Sequence, residues 1–313
     1  YISLSLLKNI KLLSNKENFV IFHFQSVDGL MPYLASLFCR KMPLVAQQRG
    51  PNMPFSWRFK KRKRLSYLLL NFFSLISYTN YDYIFYSSIG GLKYARNRLG
   101  VNRCDHLKGG GFNYERYNPI SKLKAKKKLG LDTNKKHILY VGKYNKYKGV
   151  KEILNIGLKL KKKHNLELIF IGGSTTDPLY QILVSSGFKV FERVEKKIVL
   201  QYLNAADLYM LLLFDKVSLP FSDIGMIQLE SLAMGTPDVS TTMIHFLGSQ
   251  EDRKQVSRIV RHPNEALVAV DFILSNPEKY KNTRQISQKY YSWENICQKN
   301  FEIYNKLVSK YYL

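Results

Sequence analysis

Six short apolar runs punctuate the chain: FVIFHF at 19–24, PLVAQQ at 43–48, DYIFYSS at 82–88, HILYVG at 137–142, LELIFIGG at 166–173 and LYMLLLF at 208–214. They are rich in β-branched and aromatic residues and bounded by turn formers. Most lack polar alternation, the pattern of parallel strands buried on both faces. Helical periodicity fills the gaps. After HILYVG, Val150, Ile153, Leu154 and Leu158 share one stripe opposite a lysine-rich side. Alternating strands and helices over this length predict doubly wound α/β architecture. The alternation breaks at NYERYNPISKLKAKKKLGLDTNKK, 113–136, and restarts beyond it. At the far end Ser292 is placed to cap a helix whose stripe holds Trp293, Ile296, Cys297, Phe301, Tyr304, Leu307 and Val308.

Composition narrows the class. The 313 residues suit two domains, and 45% hydrophobic with 23% charged residues is a globular balance. Cys39, Cys104 and Cys297 match no zinc or disulfide spacing, so buried reduced thiols in a cytosolic protein are expected. Because the chain opens on Tyr1, we expect a fragment that has lost its original start. The net charge of +26 favours anionic partners.

The charge is densest at RFKKRKR, 58–64, directly before the apolar LSYLLLNFFSLIS, 65–77. That run is shorter than the roughly 20 residues a membrane-spanning helix needs. It reads either as a core helix with a solvated basic start or as a helix lying on an anionic membrane. Specific nucleic-acid binding is not expected, since neither a helix-turn-helix pattern nor interleaved aromatics accompany the charge.

Two segments can carry chemistry. In VGKYNKYKG, 141–149, a buried strand ends at Gly142, and Lys143 and Lys148 follow before a helix opens near Gly149. Ligands of open α/β sheets bind at such strand ends, and two ammonium groups there suit a diphosphate. The plain alternative is a pair of solvated lysines. In FSDIGMIQLESLAMGTP, 221–237, a helix is predicted to start near Ser222 or Asp223, with Gly225 in its first turn and Gly235 ending it. Glu230 stands alone in the apolar MIQLESLAM, either partnered toward the core or exposed beside Gln228.

Together these segments resemble the retaining glycosyltransferases of the group 1, or family 4, type. VGKYNKYKG is similar to their diphosphate-binding turn, and GMIQLESLAMGTP to the second half of their E-x7-E segment. NAADLYM, GGFNYERYNP at 110–119 and YSWENICQKNFEIY at 291–304 match further elements in order. The resemblance covers residues 105–313.

It implies the GT-B fold: two Rossmann-like doubly wound domains facing a central cleft. The expected division is 1–118 for an acceptor-side domain, 119–285 for the nucleotide-sugar domain, and 286–313 for a helix crossing back to the first. It further implies transfer of a sugar, with retention, from a nucleotide-diphosphate sugar to a glycan or lipid-linked acceptor. In that reading Lys143 and Lys148 hold the diphosphate, Glu230 the ribose hydroxyls, and the backbone at Gly142 and Gly225 faces the donor. No Asp-x-Asp is present, so no metal cofactor is expected.

The chain departs from the family pattern at three places. Ser222, followed by Asp223, stands where the family has its first glutamate, which contacts the donor sugar; Ser222 could accept a weaker hydrogen bond there, or Asp223 could take over with a shifted backbone. Arg49 precedes Gly50 where the family carries a histidine, which suits an anionic acceptor; His23, at a strand end, is a second acceptor-side candidate. DVSTTMIHF, 238–246, lacks the usual glycine-rich continuation. These departures keep open a donor-binding scaffold without transfer activity. Localisation is expected in the cytoplasm, with peripheral contact at the inner membrane face through 58–77.

Overall fold

The computed structural model describes residues 21–26, 30–39, 42–48, 72–73, 75–107, 110–214, 219 and 222–312. Arg49 and residues 58–71 and 74 lie outside that set. The described remainder of the apolar run is helical, with Phe72 and Leu75 exposed and Ser77 buried.

The chain divides into two compact units: residues 1–109 with 220–222 and 296–313, and residues 110–219 with 223–295. The first unit is built on a parallel sheet in the order β1 (Phe22–Phe24), β2 (Leu44–Gln48), β3 (Tyr83–Tyr86), β4 (Cys104–His106). Its central strands are buried on both faces, the apolar Leu44, Val45 and Ala46 of β2 being followed by the buried polar Gln47 and Gln48. Helices α1 (Leu30–Phe38) and α2 (Ile89–Leu99) connect the strands. Ser88 caps α2, its hydroxyl accepting the Gly91 N–H at 3.1 Å.

The second unit holds six parallel strands in the order β10-β9-β8-β5-β6-β7. They are β5 (Lys136–Val141), β6 (Leu166–Gly173), β7 (Lys189–Glu192), β8 (Leu208–Leu211), β9 (Asp238–Ser240) and β10 (Ser257–Ile259). Helix α4 (Val150–His164) follows β5; α3 (Lys122–Lys128) precedes it. The buried stripe of α4 is Val150, Ile153, Leu154, Ile156, Gly157 and Leu160, whereas Leu158 is exposed. The stripe is centred on Gly157, where a Cβ would come within 2.2 Å of Leu168, so helix and sheet approach too closely for any larger residue. At the amino-terminal ends of the central strands β5 and β8, Asp207 accepts Lys126 Nζ at 2.8 Å and the His137 N–H at 2.9 Å, tying α3 to the sheet.

The last helix, α11 (Trp293–Tyr312), is capped by Ser292 as expected. From Ile296 onward it belongs to the first unit. There Leu307 packs with Val45, Phe85 and Leu107, and Tyr311 donates to Asp82 at 2.7 Å. Among the described residues no helix is long and apolar enough to cross a membrane.

Candidate donor site

In the second unit the chain runs β5, β6, β7 toward one edge, then returns to place β8 on the other side of β5. The strand order therefore reverses between β5 and β8. Segments leaving these neighbours at their carboxyl ends diverge, and that divergence opens the crevice in which doubly wound sheets bind ligands. VGKYNKYKG leaves β5 there, and the segment leading to Glu230 leaves β8.

The turn after β5 is held from several sides. Gly142 donates to Ile171 carbonyl at 2.8 Å, and Tyr140 hydroxyl donates to Lys143 carbonyl at 2.7 Å. The Tyr144 ring lies against Gly173, where a Cβ would fall 1.9 Å from it, and its hydroxyl donates to Phe191 carbonyl at the end of β7. Asn145 Oδ1 accepts the N–H groups of Tyr147 and Lys148, each at 3.1 Å, closing a 3-10 turn over Lys146–Lys148. Gly149 has φ +64, and a Cβ on it would lie 2.3 Å from Leu212 carbonyl, just beyond β8. The turn thus packs directly on the chain leaving β8.

Lys143 is exposed on this turn, while Lys148 is half-buried. Burial lowers the Lys148 ammonium from its ordinary value, and no carboxylate among the described residues pairs with it. Among the described residues it is a desolvated cation without a counter-ion.

Helix α7 (Met226–Ala233) begins later than the sequence predicts, with Gly225 as its N-cap. The reason is the Gln228 side chain, whose Oε1 accepts the Gly225 N–H at 2.9 Å and stops the helix from extending backward. That N–H is therefore engaged and cannot also face a ligand. Asp223 lies before the helix with Oδ1 accepting the Ile224 N–H at 2.7 Å. Gly235 ends the segment at φ +77, as expected.

Glu230 points inward, with a side chain 4% exposed. Lys196, the first residue of α6 (Lys196–Ala205), places Nζ on Oε1; among the described residues Oε2 has no hydrogen-bond partner. Burial raises the Glu230 carboxyl above its usual range, and Lys196 counteracts that rise.

The same helix rests on a buried polar layer. Gln228 Nε2 donates to Asp238 Oδ2 at 2.7 Å and to Ser240 at 3.1 Å, while Thr242 donates to Gln228 Oε1 at 2.8 Å. Asp238 is fully buried with Oδ1 unpartnered, and desolvation pushes its carboxyl up to about 7. An acid raised on folding stays protonated while the unfolded chain ionises. Its contribution to stability is therefore lost as pH climbs from about 4 to about 7 and is constant above that. Asp238→Asn should melt higher than the wild type at pH 8, by up to about 4 kcal/mol of unfolding free energy. Thermal melts across the pH range should show that gap closing toward pH 4.

Thus the second unit collects Gly142, Lys143, Lys148, Asp223, Gly225 and Glu230. Ser222 and His23 fall in the first unit. His23 is half-buried on β1, its Nδ1 hydrogen-bonded to the Tyr304 hydroxyl and its ring against Phe85. Sequence reasoning missed Lys196, Gln228 and Asp238. Gln228 carried a signal, being three residues after the N-cap glycine; Lys196 carried none in so lysine-rich a chain. Among the described residues no group of three His, Cys, Asp or Glu is placed to hold a metal ion.

Comparison with known proteins agrees with this architecture. The chain is similar to an uncharacterized glycosyltransferase of Methanocaldococcus jannaschii, with 25% identity over 194 residues, 58% of this chain and 48% of the relative. The match thus spans about half the length of that curated relative. Among solved structures, HepE of Anabaena superposes with a TM-score of 0.73 at 13% identity, covering 97% of this chain and 82% of its own. Sucrose-phosphate synthase of Thermosynechococcus elongatus gives 0.70 at 16%, covering 97% and 78%. These likenesses show the fold, GT-B, with its two Rossmann-like units. The model of the family described as glycosyl transferases group 1 matches residues 121–290. That match takes in more than half of the chain and every candidate residue of the second unit, and the chain belongs to the glycosyl transferases group 1.

Proposed function

We propose that this protein transfers a sugar, with retention, from a nucleotide-diphosphate sugar to a glycan or lipid-linked acceptor. The observation that carries this reading is the charge pair at the strand-order reversal. A half-buried cation, Lys148, follows one strand, and a buried carboxylate, Glu230, follows its neighbour; among the described residues Lys148 has no counter-ion and Glu230 Oε2 has no hydrogen-bond partner. The cation suits a diphosphate, joined there by Lys143 and the backbone at Gly142. The carboxylate suits ribose hydroxyls. Ser222 or Asp223 meets the donor sugar, and Gly225 contributes close backbone approach rather than its engaged N–H. Three structures of HepE carry UDP, UDP-glucose, or UDP and glucose, which supports a donor of this class.

The chemistry follows from the charges. Breaking the bond between the sugar C1 and the phosphate oxygen gives the sugar oxocarbenium character and the diphosphate added charge. Fixed ammonium groups stabilise the departing oxygens without a proton donor and without a metal cofactor. His23 and Arg49 are proposed on the acceptor side, an arginine favouring an anionic acceptor. We assign the segment 58–77 to peripheral contact with an anionic membrane at the cytoplasmic face.

A thermal-shift screen against nucleotide sugars, followed by nucleotide-release assays on the stabilised samples, tests the proposal. A donor that raises the melting temperature and is turned over with an acceptor supports it. Stabilisation without release would instead favour a donor-binding scaffold, the reading motivated by Ser222 and Arg49. No stabilisation by any nucleotide sugar would overturn both.

A further inference from the structure

Lys196 is the unexplained residue of this site. Its side chain is 53% exposed, yet its ammonium reaches inward to an acid that is 4% exposed. Helix stability does not account for it, because a cation at the first position of a helix opposes the helix dipole. Lys197 beside it increases that conflict. Packing does not account for it either, since about half of its side chain faces solvent. What the contact does is local: it occupies one oxygen of Glu230 and leaves the other unpartnered in a buried position.

Resting on the reading of Glu230 as a hydroxyl anchor, we propose that Lys196 is the positioning residue that keeps Glu230 an ionised, oriented acceptor for the ribose hydroxyls. An ionised carboxylate accepts at both oxygens, whereas a protonated one loses acceptor capacity and gains a donor that a hydroxyl must oppose. With Oε1 satisfied by the ammonium, Oε2, buried and unpartnered among the described residues, is the acceptor left for the nucleotide's hydroxyls. Among the described residues, three other charged or titratable groups around α7 do not replace Lys196. Tyr209 on β8 is fully buried and held as the neutral phenol. Asp238 on β9 is engaged by Gln228. Arg284, on α10 (Thr283–Tyr291), donates to the Ala233 carbonyl at the far end of the helix at 2.6 Å.

The test is calorimetric binding of UDP at about pH 6 and about pH 8 to the wild type, Lys196→Met, Lys196→Arg and Glu230→Gln. Wild-type affinity should change less than about twofold between the two, and Lys196→Met should bind about tenfold more weakly at pH 6 with recovery toward pH 8. Lys196→Arg should keep the wild-type profile, and Glu230→Gln should bind weakly at both. Carbon NMR of the ligand-free, glutamate-labelled protein gives a second readout. The Glu230 titration should move upward in Lys196→Met and stay in place in Lys196→Arg.

The outcomes separate the two claims. If Glu230→Gln binds UDP like the wild type, or the wild type does not bind, the reading of Glu230 fails. If Glu230→Gln is weak but Lys196→Met matches the wild type, only the role of Lys196 fails. A Lys196→Met variant that is weak without any pH dependence, or whose Glu230 titration does not move, also overturns positioning, because the lysine then acts on the nucleotide directly.

Discussion

Replacing Lys148 by alanine is expected to lower kcat/KM for the donor about 100- to 1000-fold, the range seen when a fixed electrostatic stabiliser of a developing charge is removed. The fold should survive and its melting temperature should hold or rise. Both signs come from one fact: the ammonium is half-buried with no carboxylate to compensate it among the described residues. Such a cation costs desolvation energy in the empty protein and repays it only when an anion arrives. Melting curves of the empty variant, run beside initial rates with saturating acceptor, check the pair of signs. A variant with wild-type kcat/KM would remove Lys148 from the site, and one that melts well below the wild type would make it a structural lysine.

Glu230→Ala should have a comparable effect through binding. Charge-assisted hydrogen bonds are worth about 1.5–3 kcal/mol each, so losing two to ribose hydroxyls should weaken nucleotide affinity about 100-fold or more. Glu230→Gln should lose less, because its carbonyl still accepts one. The discriminating ligand is the 2′,3′-dideoxy nucleotide. The wild type should bind it as poorly as Glu230→Ala binds the hydroxylated form, and Glu230→Ala should no longer distinguish the two. An alanine variant that still prefers the hydroxylated nucleotide would place the ribose anchor elsewhere.

The contrast between what the residues announced and what they hid has physical causes. Apolar runs buried on both faces, such as HILYVG and LELIFIGG, were legible because nothing else satisfies so many consecutive apolar side chains. The strands Cys104–His106, Lys189–Glu192 and Ser257–Ile259 were not, being only three or four residues long and at sheet edges, where polar side chains are tolerated. Leu158 misled because periodicity alone cannot see that Gly157 sets the closest approach of the helix to the sheet. In the turn after β5, Gly149 was readable, since its positive φ and the nearby Leu212 carbonyl demand a glycine. The start of α7 was not, because a side-chain contact from Gln228 decides it. The pairing of Lys196 with Glu230 joins residues 34 positions apart and depends wholly on how α6 packs on α7.

Tyr144 gives the lysine turn a further property. Its ring fills the space beside Gly173 and its hydroxyl holds the end of β7, so one side chain rivets the turn to three consecutive strand ends. Loosening that turn requires pulling a buried aromatic ring out of the sheet's edge. The turn is thus preorganised: it belongs to the sheet's cooperative unit and pays little ordering entropy when an anion docks. If the turn holds the donor as proposed, substitutions at Lys143 or Lys148 should report contact chemistry rather than loop dynamics.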